Sequence, residues 1–94
     1  MELPIQHLEN GHRGVFFMAN ENSRLAEMTY VWSGDSRIII DHTEVNEVLK
    51  GSGAGKKLVA AGAAFARKKG IKIIPLCPFA KAVMQKDPTY HDLL

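Results

Sequence analysis

The chemistry available to this chain is concentrated at three places. The first is Lys50-Gly51-Ser52-Gly53-Ala54-Gly55-Lys56, where three glycines fall within five residues between two lysines. Glycine permits tight or left-handed backbone and lets a ligand approach the bare main chain. Where such a turn opens a helix, the free N–H groups and the helix dipole favour a phosphate or pyrophosphate. The second is the pair His42 and Glu44, which on a strand point to one face and can share a site. Histidine titrates near neutrality, so it can take a proton directly or through water. The third is Cys77, the one cysteine of the chain. Set just before Pro78 at a helix start, its thiol feels the positive helix end and ionises more readily than a free cysteine. Each group also has a plainer reading. The glycines merely steer the chain into a helix, the charged pair is solvated, and the cysteine is a small core residue.

The spacing of the glycines excludes two common phosphate sites. A P-loop needs G-x-x-x-x-G-K-[ST], but Lys57 follows Gly55-Lys56 and Lys50 stands where the first glycine belongs. A dinucleotide fingerprint needs G-x-G-x-x-G and an acid about 20 residues on. Here Lys56 takes the third glycine's place, and Ile73-Ile74-Pro75-Leu76 supplies no acid.

The elements that must carry these residues follow from composition and periodicity. Gly14 to Ala19 is β-prone and follows a turn at Asn10-Gly11-His12. A turn at Asn20–Ser23 leads to a strand over Arg24–Trp32, and Ser33–Ser36 turns it into the β-branched strand Arg37–Val45. Lys56 to Lys69 carries apolar residues at helical spacing and stops at Gly70. Ile71 to Leu76, apolar nearly throughout, reads as a strand covered on both faces. Pro78 then opens a helix to about Lys86, and Asp87-Pro88 ends it. The expected order is βββαβα in one domain spanning residues 1–94. It is an α+β fold, close to a three-layer α/β arrangement, with a mixed sheet. An antiparallel meander is followed by one parallel, right-handed crossover. The glycine turn then lies at the carboxyl end of a strand, where open α/β sheets bind ligands.

Composition narrows the partners. No apolar run is long enough to cross a bilayer, and Met1-Glu2-Leu3-Pro4 does not begin a secretory leader. A single cysteine cannot form an intrachain disulfide and fits a reducing compartment, so a cytoplasmic protein is expected. The net charge is +2, too small to argue for nucleic acid by itself. The basic residues are nonetheless gathered, because Lys50, Lys56, Lys57, Arg67, Lys68, Lys69 and Lys72 follow one another with no acid between. That field suits a phosphorylated small molecule, and a solvated helix face explains Arg67 to Lys69 equally well.

The form Lys50-Gly51-Ser52-Gly53-Ala54-Gly55 resembles the acetyl-coenzyme A site of the GCN5-related N-acetyltransferases, and in particular their small YjdJ-type branch. The resemblance also takes in His42-Thr43-Glu44-Val45, the stretch Gly70 to Phe79 with Pro75 and Pro78 flanking Cys77, and Asp87-Pro88-Thr89-Tyr90. It covers about residues 36–92 and implies a minimal acyl-transferase fold. It also implies acetyl-coenzyme A as co-substrate, no metal, and an amine acceptor that is a small molecule or a protein lysine or N-terminus. Main-chain amides of Gly51, Ser52, Gly53, Ala54, Gly55 and Lys56 would hold the pyrophosphate. Val45 would pair its backbone with the pantetheine arm. Lys50 replaces a more usual arginine or glutamine and lacks arginine's fork. His42 and Glu44 become candidate proton handlers, Cys77 a candidate for accepting or orienting the acetyl group, and Tyr90 a weaker candidate proton donor. Trp32, Phe65 and Phe79 read as core.

Larger relatives place helices between their first two strands, and the Asn20–Ser23 turn has no room for them. The acceptor pocket is then either open or completed by a partner, and a monomer or weak dimer is expected. A non-catalytic coenzyme A-binding module is the main alternative. A nucleic-acid-binding domain using the basic helix is the weaker one.

Overall fold

The computed structural model describes residues 3–94. Met1 and Glu2, where the leader segment was sought, lie outside the described residues. Four strands come first: β1 (Gln6–Asn10), β2 (Arg13–Ala19), β3 (Arg24–Ser33) and β4 (Arg37–Val45). A 3-10 turn (Glu47–Leu49) leads into helix α1 (Ala54–Lys69), strand β5 (Lys72–Pro75) and helix α2 (Pro78–Lys86), and a 3-10 segment (Pro88–Leu93) ends the chain. The strands form one sheet in the order β1-β2-β3-β4-β5. The first four are antiparallel neighbours, and β4 and β5 are parallel, joined through α1. The mixed sheet with its single crossover is therefore as expected, with one strand more: the order is ββββαβα.

The additional strand, β1, reads QHLEN and is exposed at every position. No apolar alternation announces it. Polar and aromatic contacts hold it instead. The His7 ring stacks on Phe16 at 4.2 Å. The Tyr30 hydroxyl donates to Glu9 at 2.6 Å and Trp32 Nε1 donates to the same carboxylate at 2.7 Å. With the hydroxyl proton committed to Glu9, His7 Nε2 is the donor in its 2.6 Å contact with Tyr30. This strand also corrects the position of the missing helices. The first two strands are joined by the turn at Gly11-His12, and Asn20–Ser23 joins the second and third.

The core lies between one sheet face and the helices. Helix α1 brings Leu58, Val59, Ala63 and Ala66 against Phe16, Met28, Tyr30, Ile38 and Ile40, and α2 adds Ala80 and Met84. Each large apolar side chain so buried contributes roughly 1.5–3 kcal/mol. The many alanines of α1 leave no bulk to hold it away from the sheet. Gly70 ends the helix in a left-handed conformation, with its N–H on the carbonyls of Ala66 and Arg67. The expected strand at Ile71–Leu76 is shorter than its apolar run, because Ile71 is spent on the helix end and donates to Ala66. Among the described helices, none is long and apolar enough to cross a membrane.

The ladder between β3 and β4 contains a bulge. Thr29 pairs with His42 but Tyr30 pairs with Ile40, so Asp41 is an extra residue on β4. Before it, Ile38 and Ile40 face the helices. After it, Thr43 and Val45 do, opposite Met28 and Ala26, while His42 and Glu44 turn to the open face opposite Thr29 and Glu27.

Candidate active site

The pairing of β4 with β5 runs from Arg37 opposite Lys72 to Ile40 opposite Pro75, and stops. There the N–H groups of Leu76 and Cys77 both donate to the Ile40 carbonyl, each at 3.0 Å, and the chain turns into α2. Strand β4 continues to Val45 with no neighbouring strand on that side among the described residues. Asn46 donates to Leu25 of β3 at 2.7 Å. Because successive residues of a ladder alternate direction, Thr43 and Val45 turn their N–H and C=O groups toward the unpaired edge.

Cys77 sits in this gap. It is 5% exposed, and its Sγ lies 3.3 Å from the Thr43 hydroxyl. Burial alone would push the thiol up. The amide of Ala80, the Thr43 hydroxyl and the amides of Phe79 and Thr43 outweigh burial and hold it below its ordinary value. The side chain makes no cap hydrogen bond by strict geometry. The N–H groups of the first turn of α2 act on the sulfur as a cluster of oblique dipoles. The expectation of an acidified thiol at a helix start is met in direction, with Thr43 as an additional cause.

His42 and Glu44 do share a face, with His42 Nε2 and Glu44 Oε1 3.7 Å apart and both side chains exposed. The bulge at Asp41 turns them to the open face, away from the helix-covered face where Cys77 meets Thr43. Glu27 stands beside them, and donor atoms of the three lie within 4.8 Å of one another. Glu27 also pairs with Arg24 at 3.5 Å.

The glycine turn begins one residue past the 3-10 turn. Asn46 caps that turn by accepting from Val48 at 2.9 Å. Gly51 and Gly53 both take left-handed backbone, with φ of 83° and 81°. The first intrahelical bond of α1 runs from Lys57 to the Gly53 carbonyl at 3.0 Å. This leaves the amides of Ala54, Gly55 and Lys56 directed out of the helix start. Ser52 differs from its expected role, because both its N–H and its hydroxyl donate to the Leu49 carbonyl and stabilise the turn. A hollow of about 410 Å³ joins Val45, Leu49, Lys50, Gly51, Gly53, Ala54, Gly55, Lys56 and Phe79. Seven of the residues expected at the cofactor therefore stand together, with Ser52 behind them.

Phe79 is a second correction. It read as core, yet it is 40% exposed. Its ring closes on Gly55 so tightly that a Cβ there would come within 2.6 Å of it. Phe79 also lines a neighbouring hollow with Lys56, Val83, Lys86, Pro88 and Tyr90. Tyr90 stands there, with Arg67 over its ring at 5.9 Å. Nothing brings it to Cys77. Arg67 is neither free nor a ligand group, since it holds Asp92 at 3.0 Å and the Thr89 carbonyl of the C-terminal segment. The exposed cations that remain near the turn are Lys50, Lys56 and Lys57.

The comparisons agree with this geometry. The model of the GCN5-related N-acetyl-transferase family matches residues 15–93. The solution structure of a GCN5-like protein from Staphylococcus aureus is 39% identical, with a TM-score of 0.75 over 97% of this chain and 86% of that one. Two more distant structures share the fold. A ribosomal-protein-alanine N-acetyltransferase from Brucella melitensis is 13% identical, with a TM-score of 0.66 over 82% of this chain and 62% of that one. An aminoglycoside acetyltransferase from an uncultured soil sample is 24% identical, with a TM-score of 0.60 over 74% and 49%. Both of these proteins are longer than the part this chain spans. No curated protein matches the chain. A parallel strand pair that parts beside a glycine-rich helix start, in a chain so matched over most of its length, belongs to the GCN5-related N-acetyltransferases.

Proposed function

We propose that the chain binds acetyl-coenzyme A along the unpaired edge of β4 and transfers its acetyl group to an amine of a small molecule or of a protein lysine or N-terminus. One observation carries this reading: the edge at Thr43 and Val45 runs directly into the hollow where the amides of Ala54, Gly55 and Lys56 point outward. An extended pantetheine arm pairs with a strand edge, and a pyrophosphate belongs at a helix start. Lys50, Lys56 and Lys57 add positive charge there.

In the transfer, a neutral amine nitrogen attacks the thioester carbonyl. A C–N bond forms, the C–S bond breaks, and coenzyme A leaves as a thiolate that takes up a proton. The amine sheds one proton, and His42 accepts it on the open face with Glu44 beside the resulting imidazolium. Cys77 offers a second route, in which its thiolate attacks first, expels coenzyme A and is then relieved of the acetyl group by the amine.

Calorimetric titration with acetyl-coenzyme A, with NADH and ATP as controls, tests the foundation. Saturable one-to-one binding of acetyl-coenzyme A alone is expected, and its absence in folded protein sinks the reading. The variant Cys77→Ser separates the routes: direct transfer leaves near-normal turnover, and transfer through the sulfur loses it.

A further inference from the structure

We infer that Thr43 is a positioning residue for Cys77: its hydroxyl, carried to the helix-covered face by the extra residue Asp41, fixes the sulfur in the β4–β5 gap and supports its thiolate. This rests on the reading that Cys77 takes part in transfer. It names the side chain that makes the thiol usable.

The argument starts from register. Regular alternation after Ile40 would have presented His42 to the sulfur and sent Thr43 outward. The bulge reverses this, since Met28 of the core faces Thr43 and half-buried Thr29 faces His42. The groove beside a buried sulfur thus receives a neutral hydroxyl in place of an imidazole. At 3.3 Å the pair can exchange donor roles. The thiol donates to Thr43 Oγ1, and once the proton has left, the threonine O–H donates to the sulfur. The hydroxyl is therefore a partner in both protonation states, and proton loss requires only rotation about one C–O bond. A histidine at the same place would share a charge with the thiolate and stay coupled to its own titration.

The remaining surroundings are amides. The groups acting on the sulfur are burial, the N–H of Ala80, the Thr43 hydroxyl, and the N–H groups of Phe79 and Thr43. No charged side chain is among them. The charged groups on the elements around it are Asp41, His42 and Glu44 on β4, Lys56 on α1, Lys72 on β5 and Lys81 on α2, and none is a hydrogen-bond partner of the sulfur. The thiol is thereby acidified by fixed dipoles and one hydroxyl alone. Its titration should follow Thr43 and ignore His42.

The test exploits Cys77 being the only thiol. The pH midpoint of thiolate formation is read in the full chain by ultraviolet absorbance and by the pH profile of iodoacetamide alkylation. The midpoint, unlike the alkylation rate, does not depend on how readily the reagent reaches the sulfur. In Thr43→Val, which keeps the side chain's shape, the midpoint is expected to rise by about one pH unit, a roughly tenfold smaller thiolate fraction below it. Thr43→Ser should restore it, and His42→Ala should leave it in place. Thr43→Ala serves if the valine variant does not fold. An unchanged midpoint in the valine or alanine variant, or a midpoint that moves with His42 instead, overturns the inference. Acetyl transfer measured on the same samples keeps the two claims apart. If Thr43→Val shifts the midpoint while Cys77→Ser acetylates normally, the role of Thr43 stands and the sulfur route falls.

Discussion

At Gly53 the backbone has φ of 81°, and a Cβ built there meets nothing within 4 Å. A side chain at this position is therefore opposed only by its own backbone, at roughly 1–2 kcal/mol. Gly53→Ala should fold normally and bind acetyl-coenzyme A about tenfold more weakly, because the turn relaxes and the outward amides lose their aim. Calorimetry beside a thermal melt checks both halves, and full affinity would show that the turn does not depend on its left-handed residue. Gly55 behaves differently. Its φ is not positive, and its added Cβ strikes the Phe79 ring. Gly55→Ala should displace that ring and alter the hollow itself, which shifted Phe79 ring resonances would report. The glycine turn was legible in the sequence because only glycine tolerates such backbone. Phe79 was not, because an aromatic after Pro78 looks the same whether it closes a core or walls a ligand site.

Among the elements, β1 is attached by ionisable groups, and its hold should depend on pH. Burial chiefly holds His7 below its ordinary value of 6.5, with Lys69 adding and Glu9 opposing. Hydrogen bonds from Tyr30 and then Trp32 hold Glu9 below its ordinary 4.5. Both folded values lie under the unfolded ones, so both contributions are present at neutral pH and are lost as pH falls. The first fades below 6.5 and the second below 4.5. Amide exchange, corrected for its intrinsic pH dependence, should show β1 losing protection between pH 7 and pH 5 while β3 keeps it. His7→Phe, which preserves stacking on Phe16, should abolish that first step. Equal loss in both strands would point to general unfolding instead. Such a strand cannot be found from apolar periodicity, since its five side chains are exposed. The stretch Arg37–Val45 was recognisable from its β-branched residues, yet nothing in its composition marks Asp41 as supernumerary. Bulges arise from how two strands meet, and one strand's residues do not encode that meeting. The sequence therefore paired His42 with Glu44 correctly and left open which side of the sheet they serve.

For the whole molecule, stability rests on a single layer of helix against sheet, and Leu58 lies fully buried within it. Leu58→Ala should cost about 2–5 kcal/mol, a large share of what a small domain possesses. A thermal or denaturant melt measures it, and a loss under 1 kcal/mol would mean that the layer closes over the vacancy. Acetyl-coenzyme A should raise the melting temperature of both wild type and variant, since ligand binding to the folded state adds to stability. The C-terminal segment is tied to α1 by Arg67 and to β5 by Lys72, which donates to the Asp92 carbonyl. Two of the clustered cations, Arg67 and Lys72, are thus spent on holding the C-terminal segment. The bulge has a last consequence at this scale. Asp41 is exposed, makes only a 3.5 Å pair with Arg13 and a 2.6 Å bond with Thr29, and as a side chain is replaceable. As a count it explains why the inward positions of β4 are even-numbered before it and odd-numbered after it. Exchanging Asp41 for asparagine or serine should be nearly silent. Deleting it would close the bulge into a regular ladder with the same faces, Thr43 still opposite Met28 and His42 still opposite Thr29, and would remove only the local bend. A ladder that instead kept Asp41 in regular pairing would turn His42 and Glu44 toward Met28 and Ala26 and send Thr43 and Val45 to the open face.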